Sequence, residues 1–294
     1  MNVLSLGDLL LDVTVRYDPA SGEAEASGDA VRIGPGGSAA NFAVHAARLG
    51  ARSRFVCRVG RDWPGEMLAR AMRDEGVEAE VHVTDEEPTG RVLVMVDPKG
   101  NRRMFSYPGA SATLQPDDLD PAWFEGLAAF HLTGYSLLRE GPREAALHAM
   151  RLAREGGARL VSLDPNPGHL IRDYGPARFR DVIKGLGFDV VFPNVEEGKL
   201  LAGEGVPGVV AERLLDVAPL VVLTLGEEGC LVATRHGQTL VPASRVDRVV
   251  DVTGAGDAFA AGFVVEYARA GDAVAAAGAG SALAAQVVGR VGAR

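Results

Sequence analysis

Near the C-terminus, the run Asp251-Val252-Thr253-Gly254-Ala255-Gly256-Asp257-Ala258-Phe259 joins the end of an apolar stretch to a helical pattern that starts near Ala255. Glycines at 254 and 256 let the backbone turn tightly and aim several N–H groups at one point. Those donors, with the positive end of the helix dipole behind them, suit an anion or the charge that develops on a group in transfer. Asp257 stands in the same first turn, where a carboxylate can take the proton of an attacking hydroxyl. The residues also read as an ordinary Gly-rich helix start whose Asp complements the dipole. A second Gly-rich run, Gly34-Pro35-Gly36-Gly37-Ser38-Ala39-Ala40-Asn41, leads into another helical pattern. There Gly36 and Gly37 allow close backbone approach to a ligand, or form a turn with Ser38 as helix N-cap.

Elements of two kinds must hold these runs in place. Short apolar runs bounded by turn residues predict buried strands at Val3–Leu6, Phe55–Val59, Ala129–Leu132, Leu160–Leu163, Val190–Phe192 and Leu220–Leu225. Amphipathic patterns predict helices over Ser38–Leu49, Gly65–Glu75, Pro142–Glu155, Gly208–Asp216, Ala255–Ala270 and Asp272–Val287. Such alternation implies a mostly parallel sheet with helices on both faces. Leu11–Ile33 and Val81–Tyr107 break the alternation. The second contains a hairpin signal, Val92–Val96 and Arg103–Phe105 flanking the turn Asp97-Pro98-Lys99-Gly100-Asn101. These strands form either a small separate sheet over the strand ends, a lid, or an extension of the main sheet.

The bulk composition narrows the partners. The 294 residues carry 47% hydrophobic and 23% charged side chains, an ordinary globular balance. A net charge of -9, with no dense Lys/Arg run, argues against a nucleic-acid binder and for a small-molecule partner. Cys57 and Cys230 stand apart in apolar surroundings without metal or redox spacing, which predicts inert buried thiols. No apolar stretch approaches membrane-spanning length and the N-terminal residues lack a signal-peptide pattern, so a cytoplasmic location is expected.

Asp251 to Phe263 closely resembles the C-terminal signature of the ribokinase-like, or PfkB-type, carbohydrate kinases, and Gly34 to Asn41 resembles their N-terminal one. Val59–Gly65, Pro193-Asn194-Val195-Glu196-Glu197 and Thr224-Leu225-Gly226-Glu227-Glu228-Gly229 follow the family's motifs in the expected order, so the resemblance covers nearly the whole chain. It implies one domain over residues 1–294 with a three-layer α/β/α fold, a mostly parallel central sheet and a small β-sheet lid built from about 11–33 and 81–107. It further implies ATP-dependent phosphorylation of a sugar hydroxyl, with Asp257 as base and Gly254, Ala255 and Gly256 as the anion hole. Asp12, Gly36, Gly37, Asn41 and Asn166 would contact substrate, since carboxylate and amide groups pair with sugar hydroxyls. Asn194, Thr224, Gly226 and Gly229 would lie on the ATP side, with Glu197 in the Mg2+ region.

Asp251 and Thr253 match a loop that holds a monovalent cation in several relatives. The second half of that site lies further toward the C-terminus, and the sequence reaches Arg294 shortly after the corresponding region begins, so K+ is an open expectation. At Asp164-Pro165-Asn166-Pro167-Gly168, Gly168 replaces the arginine of many relatives, which weighs against acidic sugars. A nucleoside kinase on the same scaffold is the nearest alternative, to be distinguished by the pocket around Asp12, Ile33, Tyr107 and Tyr135. A non-catalytic sensor is the more distant one. The family's lids often pair between subunits, which implies a homodimer.

Overall fold

The computed structural model describes residues 1–17, 30–97 and 102–294. The residues 98–101 of the expected hairpin turn, and 18–29 of the first expected lid segment, lie outside the described residues.

The sheet grows in two directions from β1 (Asn2–Leu6). On one side it pairs in parallel with β4 (Arg52–Gly60), which pairs with β5 (Glu78–Thr84). On the other it pairs with β8 (Ala129–Thr133), followed by β9 (Val161–Asp164), β10 (Val190–Val191) and β11 (Leu220–Thr224), all parallel. An antiparallel edge, β12 (Cys230–Thr234) and β13 (Gly237–Val241), completes nine strands. The order reverses at β1, and ligands of open α/β sheets bind beyond the carboxyl ends of the strands at such a point.

The central strands β1, β8, β9, β10 and β11 are largely apolar and buried because both of their faces are covered. Leu4, Phe130, Leu132, Leu163 and Leu223 pack on one side with α4 (Glu140–Glu155), α6 (Pro176–Leu186) and α8 (Pro207–Leu214). Val3, Ala129, Val190 and Val222 pack on the other with α1 (Ser38–Arg48), α9 (Ala255–Ala270) and α10 (Ala273–Val288). Next to α1, α2 (Trp63–Asp74) covers β4 through Leu68 and Met72. The helices α3 (Gly134–Leu138), α5 (Gly168–Tyr174) and α6 were not foreseen, and of α7 (Val195–Ala202) only the first turn was; α3, α5 and α7 are too short for periodicity to show. Cys57 and Cys230 are buried, and burial raises both thiol pKa values, that of Cys230 to about 11.

The interrupting strands form a separate sheet, which decides between the two readings of that region. It consists of β3 (Val31–Gly36), β2 (Leu10–Arg16), β6 (Thr89–Val96) and β7 (Arg102–Gly109), in that order. The expected bounds need one correction: residues 81–84 belong to β5, the edge of the main sheet. Register assigns the two faces of this small sheet. Gly34, Asp12, Val92 and Ser106 form one cross-strand row, and Ile33, Val13, Leu93 and Phe105 form the adjacent row on the opposite face.

Candidate active site

A cleft of about 320 Å³ opens between the small sheet and the carboxyl ends of the parallel strands. Each strand delivers polar groups as it ends. Asp8 follows β1, Tyr135 follows β8, Asp164 and Asn166 stand at the end of β9, Asn194 follows β10 and Thr224 ends β11. The small sheet contributes Asp12 together with the apolar Leu10, Val92, Val94 and Met104, while Thr253, Gly254, Gly256 and Asp257 close the far side.

Asp257 is buried in the first turn of α9. Its Oδ1 accepts from Ser38 Oγ at 2.5 Å and its Oδ2 from Asn41 Nδ2 at 2.7 Å. Ser38 Oγ in turn accepts from Asn166 Nδ2 at 3.1 Å. Desolvation raises the Asp257 pKa to about 6, and the carboxylate of Asp8 adds to the rise; the Ser38 and Asn41 donors oppose it, as does Arg294. The first hydrogen bond within α9 runs from Ala258 N to Gly254 O at 2.9 Å, so the amides of Ala255, Gly256 and Asp257 lie ahead of the ladder. That of Ala255 reaches back to the Val252 carbonyl at 3.3 Å, a distraction from the expected anion hole that Gly256 does not share. Gly254 caps the helix at φ 75°, and a Cβ there would fall 2.5 Å from that of Ala293.

In the other glycine run the expected cap is corrected, while Gly37 does lie at the cleft wall. Gly37, at φ 105°, is the N-cap of α1, and Ser38 is its first helical residue. The Asp8 carboxylate, arriving from β1, accepts from Ser38 N at 2.9 Å and takes the capping role, so the Ser38 hydroxyl is left for Asp257. A Cβ on Gly37 would sit 2.2 Å from the Asp8 carbonyl oxygen. Gly36 lies against the Asp12 carboxylate, and Asn41 is buried one turn further along α1. Burial raises the Asp12 pKa to about 7, with neighbouring carboxylates of Asp8, Asp257 and Asp251 adding to the rise and Arg294 opposing it. Asn166 Oδ1 is buried and finds no hydrogen-bond partner among the described residues.

On the other side of Asp257, Asn194 and Glu197 open α7 as a reciprocal capping box, Asn194 Oδ1 accepting from Glu197 N at 2.9 Å and Glu197 Oε2 from Asn194 N at 3.1 Å. Both line the cleft all the same. Desolvation raises the Glu197 pKa to about 7, and Asp164, buried and facing both Glu197 and Asp257, is raised as well. Two repelling carboxylates of this kind are relieved by a divalent cation, and their hard oxygen atoms suit Mg2+. Among the described residues no cluster of three or more acidic, His or Cys side chains is placed for a metal, so Asp164 and Glu197 would share such an ion with phosphate oxygens and water.

Several expected contacts fall elsewhere. Thr224 lines the cleft, but Gly229 does not: it packs against residues 241–243, where a Cβ would come 2.1 Å from the Val241 carbonyl oxygen. Gly226 is the φ 64° turn of the β11–β12 hairpin, with open space at its Cβ position. Asp251 accepts at Oδ1 from Thr253 N (2.9 Å) and Thr253 Oγ1 (2.7 Å), and at Oδ2 from Gly292 N (3.1 Å). Ile33 and Tyr107 occupy the outer face of the small sheet, while Asp12 and Tyr135 face the cleft. Sequence reasoning missed Asp8, Ser38 as a partner of Asp257, Asp164 as a charged neighbour, and Arg294. None of these carries a local signal beyond standing next to a strand end or a glycine run.

The three-layer body with its four-stranded lid is the ribokinase-like fold. The adenosine kinase of Sinorhizobium meliloti superimposes with a TM-score of 0.90 at 27% identity, covering 100% of this chain and 95% of that one. The sequence matches the pfkB family carbohydrate kinases over residues 1–294, and the chain belongs to that family. It is 34% identical to fructokinase-1 of Zea mays over 87% of this chain and 80% of the relative. It is also 32% identical to the 2-dehydro-3-deoxygluconokinase of Bacillus subtilis over 79% and 73%. The chain is thus an ATP-dependent carbohydrate kinase.

Proposed function

We propose that this kinase transfers the γ-phosphoryl group of ATP to a hydroxyl of a small neutral sugar, with Asp257 as the base. The observation that carries the reading is the Asp257 carboxylate itself: buried at the head of α9, ahead of the helix hydrogen-bond ladder, and held by Ser38 and Asn41. A sugar hydroxyl in the cleft would give its proton to Asp257 while the amides of Gly256 and its neighbours steady the phosphoryl oxygens. Asp12, Asn41 and Asn166 would hold the sugar, and the buried Asn166 Oδ1 is an acceptor that a substrate hydroxyl would satisfy. Asn194 and Thr224, which line the cleft, would take ATP, with Mg2+ neutralising charge between Asp164, Glu197 and the phosphates. Neutrality of the sugar follows from the carboxylates of Asp8, Asp12, Asp164 and Asp257 around it and from Gly168 in place of an arginine. The acidic substrate named for the Bacillus subtilis relative is disfavoured on the same ground.

The apolar ceiling of Leu10, Val92, Val94 and Met104, together with the likeness to an adenosine kinase, favours a nucleoside as the second reading. An ADP-release assay with ATP and Mg2+ against pentoses, hexoses, keto-deoxy acids and nucleosides separates the readings. Turnover confined to neutral sugars is expected. Exclusive nucleoside turnover would move the assignment, and binding without any ADP release would make the chain a sensor. The Asp257→Asn variant should lose roughly 10²- to 10⁴-fold in kcat with sugar affinity retained; near-normal turnover would remove Asp257 as the base.

Asp251 is engaged by Thr253 and Gly292, the proposed transfer uses no K+, and equal rates in potassium and sodium are expected. A second copy of the chain docking on the outer face of the lid, and a cytoplasmic location where ATP is plentiful, complete the proposal. Among the described residues no helix is long and apolar enough to cross a membrane.

A further inference from the structure

The segment Gly292-Ala293-Arg294 is docked into the site from behind. Gly292 N donates to Asp251, the Ala293 carbonyl meets His45 Nε2 at 2.9 Å, and Ala293 packs on Gly254. This places the Arg294 guanidinium under the first turn of α1. Its Nε donates to Asn41 Oδ1 at 2.7 Å, its Nη2 to the Gly36 carbonyl at 3.2 Å, and its Nη1 to Met72 Sδ at 3.3 Å. The side chain thus spans the two residues, Gly36 and Asn41, that adjoin Asp12 and Asp257.

A guanidinium has donors only, so the end of the Asn41 amide that faces it must be the carbonyl oxygen. The NH2 end then has one direction left, toward Asp257. Ser38 is polarised the same way, accepting from Asn166 and donating to Asp257. Every hydrogen bond in the chain Arg294–Asn41–Asp257–Ser38–Asn166 therefore runs toward the carboxylate. Without Arg294 the Asn41 amide keeps only the ionised carboxylate itself to orient it, and loses the donor that pins its oxygen end.

We propose that Arg294 is a positioning residue for phosphoryl transfer, locking the Asn41 amide so that its NH2 group holds the Asp257 carboxylate ready to accept the substrate proton. The inference rests on the reading of Asp257 as base. The charges that face the pair are consistent with it. Asp257 is surrounded by the carboxylates of Asp8, Asp12 and Asp164, which disfavour its ionised form, and Arg294 opposes them; the Tyr135 hydroxyl nearby stays protonated and adds no charge. Arg294 itself faces Asp12, Asp257 and Glu75 as well as the like charge of Arg48. Burial lowers its pKa to about 10, so it is cationic at neutral pH. His45, beneath the same segment and beside Arg48, Arg290 and Arg294, is pushed down to about 4 and is neutral there.

The test is the pH profile of kcat/KM for the full chain with Arg294→Gln and Arg294→Lys, measured on whichever sugar the substrate panel identifies. Arg294→Gln should lower kcat roughly ten- to a hundred-fold, the weight of a hydrogen bond to a charged group. It should also move the acid limb up by about one pH unit while leaving the KM for ATP unchanged. Arg294→Lys keeps the charge without the planar fork and should bring the limb back toward wild type with kcat still reduced. The Asn41→Ala variant should make the further loss from Arg294→Gln disappear, since the effect runs through that amide. Wild-type kcat and an unmoved limb in both Arg294 variants would overturn the inference. Should Arg294→Gln not fold, Arg294→Lys decides alone, and a kcat equal to wild type would overturn it. An inactive Asp257→Asn alongside wild-type Arg294 variants would sink this inference only, whereas an active Asp257→Asn would sink the base assignment beneath it.

Discussion

As the proposed base, Asp257 would face two opposing demands: it must be ionised to accept a proton, yet it is buried among other carboxylates that resist its ionisation. A base whose pKa lies near 6 is ionised at neutral pH and still basic enough to take a proton in the transition state. The rate should therefore climb with pH, half-maximal near 6, to a plateau at neutral pH, which a pH–rate profile checks. Glu197 shows the energetic side of the same crowding. Its pKa, raised from 4.5 to about 7, means that the native state holds the proton more tightly than the unfolded chain. The penalty of its charge is absent below about pH 4.5 and complete above about pH 7. Glu197→Gln keeps the capping box and removes that penalty. It should raise stability at pH 8 by on the order of 2 kcal/mol, a gain that thermal melts should find fading by pH 5, while Mg2+-dependent turnover falls. A variant no more stable than wild type at pH 8 would mean that the charge is already compensated.

At the level of elements, the lid divides its labour by face. The Asp12 and Val92 row looks into the cleft, and the neighbouring row exposes Ile33 (58%) and Phe105 (59%), with Leu93 half exposed between them. An outer apolar row across all four strands is an aggregation liability unless another surface covers it. If a second copy does so, Ile33→Asp with Phe105→Asp should turn a dimer into a monomer in light scattering while leaving the cleft-facing row intact. A wild-type chain that is monomeric at micromolar concentration would refute the pairing. The same face explains why Ile33 and Tyr107 were misassigned to the substrate pocket. In a strand, neighbouring side chains point to opposite faces, so a pocket residue cannot be told from an outer one until the register is known.

For the whole molecule, the site exists only because distant parts of the chain converge on α1. Asp8 comes from the loop after the first strand and Asp12 from the second, Asp164 and Asn166 from the middle, and Asp257 and Arg294 from the last part of the sequence. Substrate should therefore bind the folded state and not the unfolded chain. A sugar at about a hundred times its Kd should add about 2.7 kcal/mol to stability, and Mg2+ with ATP should act likewise. Asp12→Asn should abolish the thermal shift caused by sugar and spare that caused by ATP; loss of both would place Asp12 in the general architecture and not at the substrate. By itself, the sequence determined whatever is local. The apolar runs of the parallel strands, the helix start at Gly254 to Asp257 and each of the glycine motifs lie within a dozen residues, where turn chemistry and periodicity leave a legible trace. Only the tertiary structure decided that Ser38 serves Asp257 while Asp8 caps its helix, that Gly229 supports a hairpin away from the cleft, and that Arg294 stands behind Asn41. Those contacts join residues far apart in the chain, and their formation depends on strand order, register and packing, which no local pattern encodes.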